Sequence, residues 1–282
     1  MNNHISPFVK WVGGKRQLIA EITCMLPETM PSYCEPFLGG GAVLFAVQPK
    51  NAIVNDLNAE LISVYETVRD DVESLIAALG RHEYTREHFY ATRDLDRDKD
   101  SYRQLSKTAK AARLIYLNKT CYNGLFRVNS AGEFNVPFGR YKNPGIVNEA
   151  ALRAASEYLC MHNIELYSED FAANLDRVAN NCFVYLDPPY DPVSGTANFT
   201  GYSIGGFDRG EQIRLKRCCD SLNARGVKFL LSNAATDFIL DLYKDYHIIV
   251  VGAKRAINSN AGKRGAIDEV LIKNYNSSRS RG

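Results

Sequence analysis

The chain has 282 residues, of which 45% are hydrophobic, and a formal net charge of +2 at pH 7. This length and apolar content suffice for one sizeable hydrophobic core and a smaller insertion. The seven cysteines show no C-x2-C spacing, which argues against a zinc site or a disulfide framework and favours thiols in a reducing cytosol. We expect no signal peptide and no membrane span, and hence a cytoplasmic protein.

The N-terminal segment, residues 8–16, combines aromatic residues, two glycines and basic residues. A phosphate-binding Walker A loop would need glycine at Val9 and serine or threonine at Arg16, so that interpretation fails. An amphipathic helix is predicted over residues 17–26. The combination is consistent with a lid over a cofactor.

Three consecutive glycines, residues 39–41, follow a short extended stretch that begins at Ser32 and precede an apolar segment of helical character. Such glycines allow a ligand to approach the backbone at a helix N-terminus, although a plain glycine hinge is the alternative. Leu44 stands where a G-x-G-x-x-G dinucleotide fingerprint would need glycine. The next predicted strand, residues 52–54, is followed by Asn55 and Asp56, and a carboxylate at a strand tip is suited to hold two ribose hydroxyls. These features predict a nucleoside ligand.

A long insertion follows. Helices are predicted over residues 59–68, 72–81, 86–95 and 104–118, and the highly charged residues 94–103 are predicted to form a surface loop. Residues 107–142 carry a single acid, Glu133, against seven basic residues: Lys107, Lys110, Arg113, Lys119, Arg127, Arg140 and Lys142. The interleaved aromatic residues are Tyr116, Tyr122, Phe126, Phe134, Phe138 and Tyr141. A solvated helix face is the alternative, but the interleaving favours a surface for bases and phosphates.

Strands are predicted again over residues 164–167, 183–186 and 227–232, with a final antiparallel pair over residues 246–251 and 269–273. Strands that alternate with helices on both sides of an insertion imply a twisted, mostly parallel sheet.

The tetrad Asp187-Pro188-Pro189-Tyr190 follows the apolar run 182–186, at the strand end where open α/β sheets bind ligands. The Asp187 carboxylate and the Pro188 carbonyl can accept from an exocyclic amine, and the Tyr190 ring offers a stacking face for a flat base. A simple strand-terminating turn is the alternative.

Together these motifs resemble those of the Dam-type DNA adenine-N6 methyltransferases, over nearly the whole chain. Residues 10–15 are similar to the N-terminal cofactor motif of that family, and residues 35–41 to its glycine motif. Asp56 matches its ribose-binding acid, and the tetrad matches its catalytic loop. The order of these motifs is that of the alpha class of amino-methyltransferases. Residues 122–129 and 132–141 are similar to the DNA-reading hairpin of the family.

The resemblance implies an α/β fold. Its core would be a Rossmann-like twisted mixed sheet of the S-adenosylmethionine-dependent methyltransferase type, with an inserted, mainly helical target-recognition domain that bears a β-hairpin. The implied divisions are an N-terminal part of the catalytic domain (1–58), the target-recognition domain (59–145) with its hairpin near 119–141, the C-terminal part of the catalytic domain (146–276) and a disordered tail (277–282).

The resemblance also implies the site residues. The catalytic residues would be Asp187, Pro188 and Tyr190. The cofactor-binding residues would be Trp11, Lys15, Glu35, Phe37, Gly39, Gly41, Asp56, Asp170, Phe171 and Asp187. The DNA-contacting residues would be Lys10, Tyr122, Asn123, Leu125, Arg127, Pro137 and Tyr141. Arg127 is the best candidate for a bidentate guanine contact, and no metal ligand is expected.

The implied enzyme transfers a methyl group from S-adenosylmethionine to N6 of a flipped-out adenine in duplex DNA, within GATC as family members usually do. We expect a monomer that binds double-stranded DNA in restriction-modification, phage or housekeeping methylation, with or without a separate cognate restriction endonuclease.

Three alternatives stay open. An N4-cytosine methyltransferase would tend to carry serine in place of Asp187, and an enzyme that methylates a protein glutamine would not need the hairpin. A catalytically silent DNA-binding module would not bind the cofactor.

Overall fold

A seven-stranded mixed sheet, with strand order β3-β2-β1-β4-β5-β7-β6, forms the centre of the computed structural model, which describes residues 5–192, 206–252 and 268–276. The strands are β1 (Ser32–Glu35), β2 (Asn51–Asn55), β3 (Asn163–Tyr167), β4 (Cys182–Leu186), β5 (Lys228–Ala234), β6 (His247–Val251) and β7 (Glu269–Lys273). Strands β1 to β5 pair in parallel, and β7 runs antiparallel to both β5 and β6. The predicted mixed sheet and its final antiparallel pair are confirmed.

Helices flank this sheet. Those in the described residues are α1 (Ile19–Met25), α2 (Ala42–Val47), α3 (Ala59–Asp70), α4 (Val72–Leu79), α5 (Arg86–Arg93), α6 (Lys99–Gln104), α7 (Lys107–Thr120), α8 (Glu149–Met161), α9 (Phe171–Arg177), α10 (Arg209–Ala224) and α11 (Asp237–Leu242). None of these described helices has the length and apolar character needed to cross a membrane.

The strand order of the sheet reverses between β1 and β4. From β1 the chain adds β2 and β3 on one side, whereas β4 and β5 lie on the other. The carboxyl ends of β1 and β4 are neighbours, because Cys34 pairs with Val184. Ligands of open α/β sheets bind in the crevice at such a switch point. The fold therefore brings the glycine loop after β1 and Asp187 after β4 to one crevice.

Strand β4 is buried along its whole length, as expected for a parallel strand covered on both faces. Its side chains alternate between two hydrophobic cores. Phe183 and Tyr185 belong to one core, and Val184 and Leu186 belong to the other. The strand that presents Asp187 is therefore held from both faces.

The segment between β2 and β3 contains α3 to α8, and α3 and α4 each pack against both α7 and α8. Leu75, Phe89 and Leu114 of this segment share the core that contains Phe183. This shared core packs the segment against the face of the sheet on which Phe183 lies, and α3 and α8 contact β3. Its assignment to target recognition and the domain boundaries stay predictions.

The predicted surface loop over residues 94–103 is wrong. A 3-10 turn spans Asp94–Asp96, and α6 spans Lys99–Gln104. Asp98 caps α6 by accepting from the backbone amides of Asp100 and Ser101. The high charge of this stretch therefore serves helix capping as well as solvation.

Two helices begin later than predicted. A 3-10 turn at Lys15–Gln17 precedes α1, and α7 begins at Lys107 because the Ser106 side chain accepts from the amide of Ala109. The predicted elements do not include α8, although Asn148 provides a cap and apolar residues recur at helical spacing. The predicted disordered tail, residues 277–282, lies outside the described residues.

Candidate active site

The loop after β4 carries a carboxylate that contacts a lysine and a serine. Lys15 Nζ lies 2.7 Å from Asp187 Oδ1, and Ser232 Oγ on β5 donates to the same oxygen at 2.9 Å. Lys15 is buried and also donates to the Gly13 carbonyl at 2.7 Å. Its Nζ lies 4.5 Å from the centroid of the Tyr190 ring. Three predicted site residues, Lys15, Asp187 and Tyr190, therefore lie together at the end of β4.

Opposing effects act on the ionisation of Asp187. Burial raises the pKa of this carboxyl group, whereas the Lys15 ammonium and the hydrogen bond from Ser232 lower it, and the net shift is upward. Lys15 and Ser232 both bind Oδ1. Among the described contacts this leaves Oδ2 to accept a hydrogen from a ligand.

The rest of the tetrad is held from β5, α10 and β7. The Tyr190 hydroxyl donates to Glu269 Oε2 at 2.8 Å, and Gln212 Nε2 donates to the Pro189 carbonyl at 2.8 Å. Gln212 Oε1 in turn accepts from Asn233 Nδ2 at 3.1 Å. The loop conformation is therefore fixed by side chains distant in sequence.

These supporting residues are missing from the predicted site residues: Gln212, Ser232, Asn233 and Glu269. One sequence signal was available. Ser232 and Asn233 are polar residues at the buried end of an otherwise apolar strand, and buried polar side chains need partners.

The glycine loop is shaped by two neighbouring aromatic residues. Gly39 and Gly41 have positive φ angles of 50° and 69°. A Cβ on Gly39 would lie 2.9 Å from Trp11 Cδ1, and a Cβ on Gly41 would lie 2.6 Å from the Tyr65 hydroxyl. That hydroxyl donates to the Gly39 carbonyl at 3.0 Å. Glycine is needed here both for the left-handed backbone and for the close approach of Trp11 and Tyr65.

Asp56 is oriented by the backbone around it. Its Oδ2 accepts from the amide of Gly39 at 2.9 Å, and its Oδ1 accepts from the amide of Asn58 at 2.9 Å. Burial raises the pKa of Asp56, and these two hydrogen bonds oppose that shift. Each oxygen of the Asp56 carboxylate can accept a second hydrogen bond, so the two oxygens together can still accept from two adjacent hydroxyl groups of a ligand.

Glu35, at the end of β1, is buried and accepts from the Tyr33 hydroxyl at 2.7 Å. Burial raises the pKa of Glu35 to about 8, and the charge of Asp187 adds to the shift, while the Tyr33 hydrogen bond and Lys15 oppose it. The carboxyl group is therefore mainly neutral at pH 7.

Asp170 and Phe171 lie at the start of α9. The Asp170 side chain accepts from the amide of Ala172 and from Arg214 Nη1 and Nη2, the latter two at 2.8 and 2.7 Å. The Phe171 ring lies 5.3 Å from that of Phe37, centroid to centroid, and the Arg214 guanidinium lies 4.0 Å from the Phe171 centroid. Two predicted cofactor residues, Phe37 and Phe171, are therefore in contact.

Residues 8–15 connect the crevice with the predicted hairpin. Trp11, which lies against Gly39, also stacks on Phe126 with ring centroids 5.1 Å apart. Lys10 Nζ lies 4.9 Å from the centroid of the Tyr141 ring. The N-terminal segment thus contacts the glycine loop, the hairpin and the loop after β4.

The predicted hairpin is present as two irregular chain segments. Two isolated antiparallel bridges define it: Cys121 with Phe138, and Val128 with Phe134. The Asn135 amide donates to the Arg127 carbonyl at 3.0 Å, and Arg127 Nε donates to Asn135 Oδ1 at 2.7 Å. Arg127 is exposed, and Asn135 holds one side of its guanidinium, because Arg127 Nη2 also donates to the Asn135 carbonyl at 3.3 Å. Among the described contacts this leaves Nη1 and the second hydrogen of Nη2 for a ligand.

The other predicted DNA-contacting residues lie around this hairpin. Tyr122 is 55% exposed, and Asn123 has a left-handed φ of 56°. Both line a surface cavity of about 380 Å³ together with Arg140 and Tyr141. Pro137 is exposed, and Leu125 is half-buried.

Part of the predicted basic and aromatic surface is wrong. Arg113 is 3% exposed and pairs with Asp96, and three of the aromatic residues are buried: Tyr116, Phe126 and Phe134. Helix α7 is buried over residues 111–118, so Arg113 and Tyr116 lie in a core, whereas Lys107 near the start of the helix is exposed. The exposed basic residues of the hairpin region are Arg127, Arg140 and Lys142.

Metal-ligating residues do not cluster in the part of the chain that the structure describes: no group of three or more His, Cys, Asp or Glu side chains could hold a metal ion there. All seven cysteines fall within the described ranges and are free thiols.

Comparison with known proteins gives consistent matches. The model of the family described as D12 class N6 adenine-specific DNA methyltransferase matches residues 11–257. The chain is 41% identical over 274 residues to the Type II methyltransferase M1.LlaDCHI of Lactococcus lactis subsp. cremoris, with 96% of each chain covered. It is 35% identical over 270 residues to the DNA adenine methylase of Escherichia coli (strain K12), covering 94% of this chain and 93% of the relative. It is 36% identical over 272 residues to the DNA N-6-adenine-methyltransferase of Escherichia phage P1, covering 93% of this chain and 34% of that protein.

Proposed function

The chain belongs to the D12 class of N6 adenine-specific DNA methyltransferases, and on that premise we propose that it transfers the methyl group of S-adenosylmethionine to adenine N6 within GATC in duplex DNA. The observation that carries this proposal is the Asp187 carboxylate, which Lys15 and Ser232 hold by one oxygen beside the Tyr190 ring. The choice of GATC rests on the resemblance of the hairpin residues to those of the Dam type.

The crevice fits S-adenosylmethionine. Asp56 retains acceptor positions for the ribose hydroxyls, and the contacting rings of Phe37 and Phe171 supply an apolar wall for the adenine. Trp11 and Lys15 would line the methionine end. The remaining proposed cofactor residues are Glu35, Gly39, Gly41 and Asp170. When bound, the cofactor supplies an electrophilic methyl group on a sulfonium.

The proposed catalytic residues overcome the weak nucleophilicity of the adenine amine, whose lone pair is delocalised into the ring. Asp187 Oδ2 and the Pro188 carbonyl accept the two N6 hydrogens, which favours a pyramidal nitrogen with its lone pair directed at the methyl group. The Tyr190 ring stacks on the base. Asp187 takes the proton late in the reaction. Positioning makes the larger contribution, and the fixed dipoles at the amine add to it.

The proposed DNA contacts compensate for extrusion of the base. Adenine N6 is paired inside the duplex, so the base has to leave the stack at a cost of a few kcal/mol. Arg127 keeps Nη1 and one hydrogen of Nη2 for a ligand, and this outer edge of the guanidinium matches the O6 and N7 acceptors of guanine. The other proposed DNA-contacting residues are Lys10, Tyr122, Asn123, Leu125, Pro137 and Tyr141.

One chain supplies all the proposed cofactor, catalytic and DNA-contacting residues, which supports action as a monomer. The Type II name of the Lactococcus lactis relative supports a restriction-modification setting. There, a separate endonuclease would cut the same sequence when it is unmethylated.

Methylation in cells tests the proposal. DNA from cells that express the chain is digested with nucleases that distinguish methylated from unmethylated GATC, and we expect methylated sites with the wild type and unmethylated sites with Asp187→Ala. Asp241→Ala is the matched control, since Asp241 on α11 is an exposed carboxylate that pairs with Lys244. Methylated adenine outside GATC would refute the target sequence. Wild-type methylation by Asp187→Ala would refute the mechanism.

A further inference from the structure

A buried ion pair lies between the helical segment and the hairpin. Asp96 and Arg113 are 4% and 3% exposed, and Arg113 Nη2 lies 2.7 Å from Asp96 Oδ2. Such a pair needs further hydrogen bonds to offset the loss of hydration. Arg113 makes them, because its Nε and Nη2 donate to the carbonyls of Thr92 and Arg93 at 2.9 and 2.6 Å, and its Nη1 donates to the Tyr102 hydroxyl at 3.2 Å.

The same carboxylate holds the backbone of the hairpin. Asp96 Oδ2 accepts from the amide of Phe134 at 2.8 Å, and Asp96 Oδ1 accepts from Arg97 Nη1 at 2.8 Å. Arg97 Nη2 donates to the Phe134 carbonyl at 2.8 Å. Two consecutive residues between α5 and α6 therefore fix both backbone polar groups of Phe134.

Phe134 is adjacent to the residues that orient Arg127. It forms a bridge with Val128, and the next residue, Asn135, binds Arg127 through both its backbone amide and its side-chain oxygen. A displaced Phe134 would shift Asn135 and with it the direction of the Arg127 guanidinium. Readout of a base edge tolerates little displacement, because hydrogen bonds weaken steeply with distance and angle.

We propose that Asp96, held by Arg113, is a positioning residue for sequence recognition: it sets the place of the hairpin without contacting DNA. This inference rests on the proposed function, in which Arg127 reads a guanine. The competing explanation is purely structural, in which the pair only stabilises the packing of α5, α6 and α7.

The double variant Asp96→Leu with Arg113→Met separates these explanations. Either single substitution would leave a buried charge without its partner, whereas replacement of both charges by apolar side chains is often neutral for stability. Leucine cannot accept from the Phe134 amide, so the hairpin anchor is still lost. Glu73→Gln is the control, because it removes one carboxylate charge from an exposed pair with Arg153.

Three quantities are measured for each protein: the melting temperature, the hydrogen exchange of the Phe134 amide, and methylation rates on duplexes with every base at each target position. We expect the double variant to stay folded but to melt below the wild type, because the Phe134 amide and the carbonyls of Thr92 and Arg93 lose their partners, and to exchange the Phe134 amide faster. At one target position, the ratio of the methylation rates on the preferred base and on the other bases should fall about tenfold, which is within the discrimination that one guanine contact provides. Glu73→Gln should match the wild type in all three measurements.

A double variant that is folded at the assay temperature and keeps its sequence preference would overturn the inference. If the double variant does not fold, Arg97→Ala decides the question, since Arg97 is only partly buried and its loss removes the bond to the Phe134 carbonyl. Unchanged preference in that variant would also overturn the inference. If the wild type prefers a sequence other than GATC, the proposed target is refuted but the inference is not. The preference of each variant is measured against the best sequence of the wild type, whichever sequence that is.

Discussion

Replacement of Ser232 by alanine should slow methyl transfer while the cofactor and DNA stay bound. Ser232 is fully buried, and its Oγ donates to Asp187 Oδ1 at 2.9 Å and lies 3.1 Å from the Tyr185 hydroxyl. A serine hydroxyl has one hydrogen, so while it donates to Asp187 it accepts from Tyr185. The substitution therefore removes one orienting bond to the carboxylate and one acceptor for a buried tyrosine.

The expected size of the effect follows from the remaining contacts of Asp187. A hydrogen bond to a charged group contributes about 1.5–3 kcal/mol, and about 1.4 kcal/mol of transition-state stabilisation corresponds to tenfold in rate. Lys15 still binds Oδ1 in the variant and keeps the carboxylate in place. We therefore expect the lower end of the range, a fall of about tenfold in the rate of methyl transfer in a single turnover.

The assay is single-turnover methyl transfer to a GATC duplex, with cofactor affinity measured by calorimetry. Ser156→Ala is the matched control, because Ser156 is also buried but its Oγ bonds the Arg69 carbonyl on α3. The control should react at the wild-type rate. A folded Ser232→Ala protein that transfers the methyl group as fast as the wild type would refute the positioning of Asp187 by β5.

Three further predictions concern the cofactor, stability and target choice. Asp56→Ala should weaken S-adenosylmethionine binding by about 1.5–3 kcal/mol through the loss of charged hydrogen bonds. An unchanged affinity in calorimetry would mean that the ribose of the cofactor does not bind at Asp56. Because burial raises the pKa of Glu35 from 4.5 to about 8, the folded state holds one more proton than the unfolded state between these pH values. The free energy of unfolding should therefore fall by about 1.4 kcal/mol per pH unit as pH rises through this window. Glu35→Gln should make the slope shallower by that amount in denaturant unfolding, since any remaining slope of the same sign comes from other buried carboxyl groups such as Asp56 and Asp187; an unchanged slope would contradict the assignment. Arg127→Ala should relax the preference for guanine at one target position. Lys142→Ala, if that exposed lysine meets only phosphate, should instead weaken binding to all sequences alike and reduce the slope of log affinity against log salt concentration by about one unit. An equal loss of methylation on every duplex would make Arg127 a contact to the DNA backbone.

The sheet and the edge that carries the candidate site were predictable because local patterns encode them. The apolar run of β4 is buried on both faces and ends at Asp187, and β2 ends next to Asp56. A polar residue directly after a buried strand has few places to lie except the carboxyl edge of the sheet. The hairpin was located differently, from the resemblance of residues 122–129 and 132–141 to the DNA-reading hairpin of the Dam-type enzymes.

The partners of these residues were not predictable, because they come from distant parts of the chain. Lys15 and Ser232 reach Asp187 from the N-terminal segment and from β5. A polar serine in a buried strand signals that it needs a partner, but no local pattern says which residue that partner is. Arg113 was wrongly predicted to belong to an exposed basic surface. Charge in sequence suggests exposure, yet this arginine is buried by a partner, Asp96, that lies in a segment predicted to be a loop.

The most direct test identifies the methylated nucleoside. A GATC duplex is incubated with the protein and S-adenosylmethionine that carries an isotopically labelled methyl group, and the digested nucleosides are analysed by mass spectrometry. We predict labelled N6-methyldeoxyadenosine from the adenine of GATC with the wild type, and none with Asp187→Ala. Label in N4-methyldeoxycytidine, or labelled adenine produced equally by Asp187→Ala, would contradict the assignment of this site to adenine N6 methylation.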